Sequence, residues 1–128
     1  MKNLVTLFCV VSLIVVGISA TGCGDSYDKN VLVVRNGNFY MNPNVPVGKA
    51  FDQFFANGKW KSFTSTENET IVEFNGECTW YNAPAQMTVQ FNVEGTDFIL
   101  RYVDINGVKM DFDESIAIMD KVLSEYKP

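Results

Sequence analysis

Histidine is absent from the 128-residue chain. That removes the commonest general base and metal ligand, and with it every catalytic arrangement built on an imidazole. Basic residues are scarce as well, ten against fifteen acidic ones for a net charge of −5, so the chain offers no electrostatic footprint for nucleic acid. It contains no phosphate-cradling glycine loop, CxxC pair or calcium-loop pattern, no internal repeat and no low-complexity segment. These absences point to a protein without a cofactor or metal and not to an enzyme. Cysteines number three, at positions 9, 23 and 78, too few for a disulfide framework. The one long apolar run, Leu4 to Ile18, falls short of the about 20 residues that a spanning helix needs.

What is present at the amino end reads as an address. Lys2 precedes that run, and the small residues Ser19, Ala20, Thr21 and Gly22 lead from it to Cys23, the layout of a secretory signal over residues 1–22. Ala20-Thr21-Gly22-Cys23 resembles the lipobox of bacterial lipoproteins, with alanine where that pattern more often has leucine. The resemblance implies cleavage before Cys23, a diacylglyceryl thioether on its sulfur and an acylated new amino terminus. The rival readings are an uncleaved membrane anchor and an ordinary signal peptide. Several acyl chains on one residue give stable anchoring, so the expectation is a lipid-anchored protein of the cell envelope. In a host with two membranes the outer one is expected, because Gly24 stands where inner-membrane retention commonly uses aspartate.

Cleavage would leave nine basic residues against fifteen acidic ones, a net −6. Cys9 leaves with the signal and Cys23 takes lipid, so Cys78 has no intrachain partner and behaves as a small hydrophobe. Residues 23–30 read as a lipidated tether, in which Gly24 to Asn30 spans roughly 25 Å when extended, and residues 31–128 as a single domain.

Within that domain, Met87, Val89, Phe91 and Val93 alternate with Gln86, Thr88, Gln90, Asn92 and Glu94, the period of a half-buried strand. With Asn82 to Ala85 as a loop, the preceding segment pairs Trp80 with Met87, Cys78 with Val89, Gly76 with Phe91 and Phe74 with Val93. A bulge is allowed at Gly76, which Phe91 covers. Gly95-Thr96 makes a two-residue hairpin pairing Val93 with Phe98, Phe91 with Leu100 and Val89 with Tyr102. Both registers bury the same face.

Val31 to Val34 reads as a strand buried on both faces, Asn42 to Pro46 as a loop, and Lys59 to Phe63 as a short strand. Val47, Ala50, Phe51, Phe54 and Phe55 share a helix face whose phenylalanines plug the core, and Asn57-Gly58 stops the helix. Asn106-Gly107 makes a further turn. Asp111 with Glu114 forms a capping box for a last helix burying Ile116, Met119, Val122, Leu123 and Tyr126. The predicted fold is α+β, an antiparallel sheet of four to five strands packed by two helices on one face.

The wording VRNGNF (34–39), VGKAFDQFFANGKWKSF (47–63), VEFNGEC (72–78) and VQFNV (89–93) resembles an uncharacterised domain of bacterial lipoproteins and membrane-tethered zinc-ribbon proteins. The resemblance implies no activity, and the zinc ribbon is missing here. Asp111, Asp113 and Glu114 are the densest carboxylates, and a helix dipole accounts for them without calcium. Glu94 and Asp97 would face each other across the hairpin. Ile99, Arg101, Val103 and Ile105 lie on the outward face of one strand, either covered by the Val31–Val34 segment or exposed to a protein partner. The expected function is non-enzymatic binding or assembly in the envelope. An inhibitor, immunity or exclusion protein acting on another envelope or secreted protein is the alternative, and an enzyme the third.

Overall fold

The computed structural model describes residues 26–128; the signal over 1–22 and Cys23 lie outside the described residues. The fold is α+β, a five-stranded antiparallel sheet packed on one face by three helices. The chain runs α1 (Lys29–Arg35), β1 (Asn38–Phe39), β2 (Asn42–Pro46), α2 (Val47–Phe54), β3 (Ala56–Thr64), β4 (Thr70–Trp80), β5 (Ala83–Glu94), β6 (Asp97–Ile105), β7 (Val108–Lys109) and α3 (Phe112–Ser124). Strands β3 to β7 pair in sequence order, while β1 and β2 form a separate two-stranded hairpin.

The Val31–Val34 segment is a helix, not a strand. Asp28 caps it, its carboxylate accepting from the Asn30 and Val31 amides at 2.9 and 3.0 Å. Val31 and Val34, one turn apart, are buried against the sheet, while Leu32 is 38% exposed. Asn42–Pro46 is likewise a strand, in place of the expected loop, because β1 pairs with it. Helix α2 forms where its aromatic spacing predicted, with Phe51 and Phe55 in the core.

The meander buries the expected face, with Met87, Val89 and Phe91 all inaccessible. Its first register differs. Trp80 pairs with Ala83, Cys78 with Ala85, Gly76 with Met87, Phe74 with Val89 and Val72 with Phe91, four residues from the expected alignment. Because four is even, the same side chains stay inside. Tyr81 and Asn82, at φ 49° and 64°, close the β4–β5 hairpin in two residues, the geometry of a type I′ turn. Pro84 is tolerated in β5 because β6 pairs only as far as Met87, leaving Pro84 at a one-sided end.

The β5–β6 hairpin turns at Gly95-Thr96 as expected, pairing Val93 with Phe98 and Phe91 with Leu100. Arg101 is then an extra residue, so Gln90 meets Tyr102 and Val89 meets Val103. This bulge reverses the facing of the second half of β6.

Another bulge has its extra residue in β3, not at Gly76: Asn57 and Gly58 together face Gly76 between the pairs Ala56–Glu77 and Lys59–Asn75. Asn57 takes φ 55° there. Gly76 is covered by Phe74, not Phe91: a Cβ on it would meet the Phe74 ring at 2.6 Å and Phe55 Cβ at 3.0 Å. Gly76→Ala is therefore expected to destabilise the domain by about 1–3 kcal/mol through overpacking. Gly95→Ala, whose Cβ would meet nothing, should cost only the about 1–2 kcal/mol of a left-handed backbone. Urea unfolding of the two variants measures the difference.

Helix α3 begins with the predicted capping box, Glu114 N–H donating to Asp111 Oδ1 at 2.8 Å and Asp111 N–H to Glu114 Oε1 at 3.0 Å. Its buried stripe is Ser115, Ile118, Met119, Val122 and Leu123, with Ile116 and Tyr126 at its margin. Asp111→Ala should cost about 1 kcal/mol in thermal or urea unfolding.

Candidate functional site

None of the described helices lies on the outer face of the sheet, and the strand registers set its side chains in rows. Phe63, Ile71, Asn92 and Ile99 are paired across four strands. The next row is Lys61, Glu73, Gln90 and Tyr102, and the one after it is Lys59, Asn75, Thr88, Asp104 and Lys109. Alternation in β3 to β6 sends apolar residues inward and leaves this face to polar ones, as expected for a sheet packed on one side.

Glu73 is the centre of the middle row. Its Oε1 accepts from Gln90 Nε2 at 2.8 Å and its Oε2 from Asn75 Nδ2 at 3.0 Å, with Lys61 Nζ at 3.4 Å. Thr88 Oγ1 donates to Asn75 Oδ1 at 2.6 Å, extending the lattice to the next row. Tyr102 O–H donates to Asp104 at 3.0 Å, which pushes the phenol above its usual pKa. Arg101, turned onto this face by its bulge, pairs with Glu69 and donates to Asn92 at 3.1 Å.

Burial pushes the Glu73 carboxyl up, but the Gln90 and Asn75 donors and the Lys61 ammonium outweigh it and hold the group below its ordinary value. A carboxylate whose pKa is depressed in the folded state contributes stability above its unfolded pKa, and loses it as pH falls through the folded one. Glu73→Ala should therefore destabilise at pH 7 by about 1–2 kcal/mol, the worth of hydrogen bonds to a charged acceptor. The gap from wild type should narrow below about pH 4.3, where the unfolded-state carboxyl begins to protonate. Paired urea titrations at pH 7 and pH 3 measure it.

The expected patch does not survive as a unit. Ile99 stands on the open face at 66% exposure and Arg101 lies beside it, but Val103 is fully buried and Ile105 packs against the core. The Arg101 bulge is the reason, since it sends residues after it to the opposite face. Phe63, 39% exposed on β3, joins Ile99 as an apolar margin of the open face, with Ile71 buried between them in the row. Sequence reading missed the Glu73 row; the signal was the alternation of Glu73, Asn75 and Glu77 against Gln86, Thr88 and Gln90.

Elsewhere, Cys78 is half-buried and unpaired beside Ala85, and burial pushes its thiol above the usual range. It borders an open cleft of about 660 Å³ between the end of α2 and the β4–β5 hairpin. Glu94 and Asp97 do face each other at the β5–β6 turn. Asp111 and Glu114 are engaged in the helix cap, and among the described residues no group of three metal-ligating side chains converges. No helix among them is long and apolar enough to cross a membrane. Compared with protein families, curated proteins and solved structures, the chain matches none.

Proposed function

We propose that the protein is a bacterial cell-envelope lipoprotein, anchored through acyl chains on Cys23, whose domain binds another envelope protein by the helix-free face of its sheet without catalysing a reaction. The observation that supports the binding role is the row Lys61–Glu73–Gln90–Tyr102. Lys61 and Gln90 are held on Glu73, and Tyr102 is held by Asp104 of the next row, so little rotamer freedom remains to be lost on association. Lysines, carboxylates and amides alternate across it, with Phe63 and Ile99 at one margin. Such a surface complements a protein of mixed charge better than a uniformly charged polymer.

The anchoring role is supported by the Ala20-Thr21-Gly22-Cys23 stretch after the apolar run.

A photoreactive amino acid at position 102, on the open face, tests the binding role in native membranes, with position 40 on the β1–β2 hairpin as control. The expected result is a discrete adduct with an envelope protein from position 102 and none from 40. Equal adducts from both, or none, contradict the reading. A resident envelope protein in the adduct gives assembly, whereas a secreted or foreign hydrolase gives the inhibitor alternative.

A further inference from the structure

We infer that the domain stands on the bilayer by its β3 edge, with Lys59, Lys61 and Phe63 against anionic lipid headgroups and the open sheet face turned sideways. The inference rests on the lipid anchor proposed above and adds an orientation and a lipid preference to it.

The first observation is where the chain joins the fold. Asp28 accepts from Ser62 Oγ on β3 at 2.6 Å. Tyr27 lies under the Arg35 guanidinium, 4.6 Å from its ring centre, and Arg35 in turn lies 5.5 Å from the Trp60 ring of β3. The segment that the sequence marks as tether is thus partly domain. Residues 24–26 alone separate Cys23 from Tyr27, a reach of about 14 Å over four extended residue spacings. An anchor that short leaves the domain little choice of which side meets the headgroups, and the side beside Ser62 is the β3 edge.

The second observation is the character of that edge. Strand β3 pairs with β4 alone, so one row of its backbone groups is unpaired. Lys59, Lys61 and Phe63 are all exposed on it, as is Leu32 on the neighbouring helix α1. Lysines blunt an edge against another strand, while lysine stems and an aromatic ring suit the boundary between headgroups and acyl chains.

The third is a division of charge. Residues 26–64, which build α1, α2 and the β3 edge, hold five basic side chains and two acidic ones, a net +3; residues 65–128 hold four basic and twelve acidic, a net −8. Helix α2 packs on β3, while α1 crosses from β3 to β6, so it is Lys59 and Lys61 on β3 itself that bring basic charge to one end of the sheet. Arg35 is neutralised by Asp52 at 2.9 Å and Lys61 is shared with Glu73 at 3.4 Å, leaving Lys29, Lys49 and Lys59 to provide most of the charge. A negatively charged leaflet attracts the anchored end and repels the far one within a Debye length of about 8 Å. Charge and tether therefore select the same side.

Lysine footprinting by amine acylation and mass spectrometry tests this on the full mature chain in vesicles of phosphatidylglycerol and phosphatidylcholine. The protein is held by its native lipid or, should residue 23 carry none, through a maleimide lipid on the Cys23 thiol with Cys78→Ser. Failure of the anchor is then read from the mass of residue 23, and orientation from the footprint. Lys59 and Lys61 are expected to be modified about five-fold more slowly on vesicles than in detergent, with Lys109 and Lys121 unchanged. The protection should fall by half or more in vesicles of phosphatidylcholine alone. Uniform modification of all four lysines, or protection of Lys109 and Lys121 instead, overturns the inference. Protection of Lys59 and Lys61 in native membranes but not in lipid vesicles also overturns it, and would assign the edge to a protein partner.

Discussion

Phe74→Ala is expected to lower the unfolding free energy by about 3–5 kcal/mol, a large share of the about 5–15 kcal/mol that holds a small domain folded. Phe74 is 1% exposed at the centre of the sheet, its ring 4.8 Å from Phe51, 4.8 Å from Phe55 and 4.9 Å from Trp60. It also lies over the two glycines that cross at the β3 bulge, Gly58 and Gly76. Truncation would remove the ring's transfer energy and open a cavity that rigid neighbours cannot close. Phe112→Ala, at a residue 69% exposed, should stay within about 0.5 kcal/mol of wild type. A urea midpoint for Phe74→Ala within error of wild type would show that the aromatic cluster is not the core.

Cys23→Ala is expected to abolish lipid labelling and to impair normal removal of the signal. On the proposed anchoring, the acyl chains hold the domain at the membrane, because each buried methylene adds about 0.8 kcal/mol and two or three chains bring many. Among the described residues no membrane-crossing helix can substitute for them, and the contacts proposed for the β3 edge are two lysines and one aromatic ring. Metabolic labelling with a fatty-acid analogue should show a labelled band for wild type and none for the variant. Equal labelling of the two would place the lipid elsewhere or remove it from the account.

The parts of the fold that could be read in advance are those with redundant local signals. Alternation over Met87 to Val93 and the Gly95-Thr96 turn agree on one face, and Asp111 with Glu114 marks a helix start by chemistry that needs no tertiary contact. The parts that could not be read lacked such agreement. Four consecutive apolar residues, Val31 to Val34, fit a buried strand and a short buried helix equally. What decides is Asp28 three residues before Val31, whose carboxylate caps the first turn.

The β4–β5 register failed for a similar reason. Tyrosine seldom takes positive φ, yet Tyr81 does at 49°, so nothing in the residue types marks Tyr81-Asn82 as the turn in place of the expected loop over Asn82 to Ala85. That alignment sets Glu73 opposite Glu94 and hides the lattice, whereas the observed register sets it opposite Gln90. No glycine marks the bulge at Arg101, and one inserted residue moved Val103 and Ile105 from a candidate patch into the interior. The site was therefore legible as a set of polar residues but not as an arrangement, since arrangement depends on register.

Tandem mass spectrometry of the amino-terminal peptide from native membranes tests the anchoring on which the proposed function depends. The account predicts a chain that starts at Cys23 and carries a diacylglyceryl group on the sulfur, with or without a further acyl chain on the amine. A native chain with an unmodified thiol at position 23, or with the signal still attached, would contradict it.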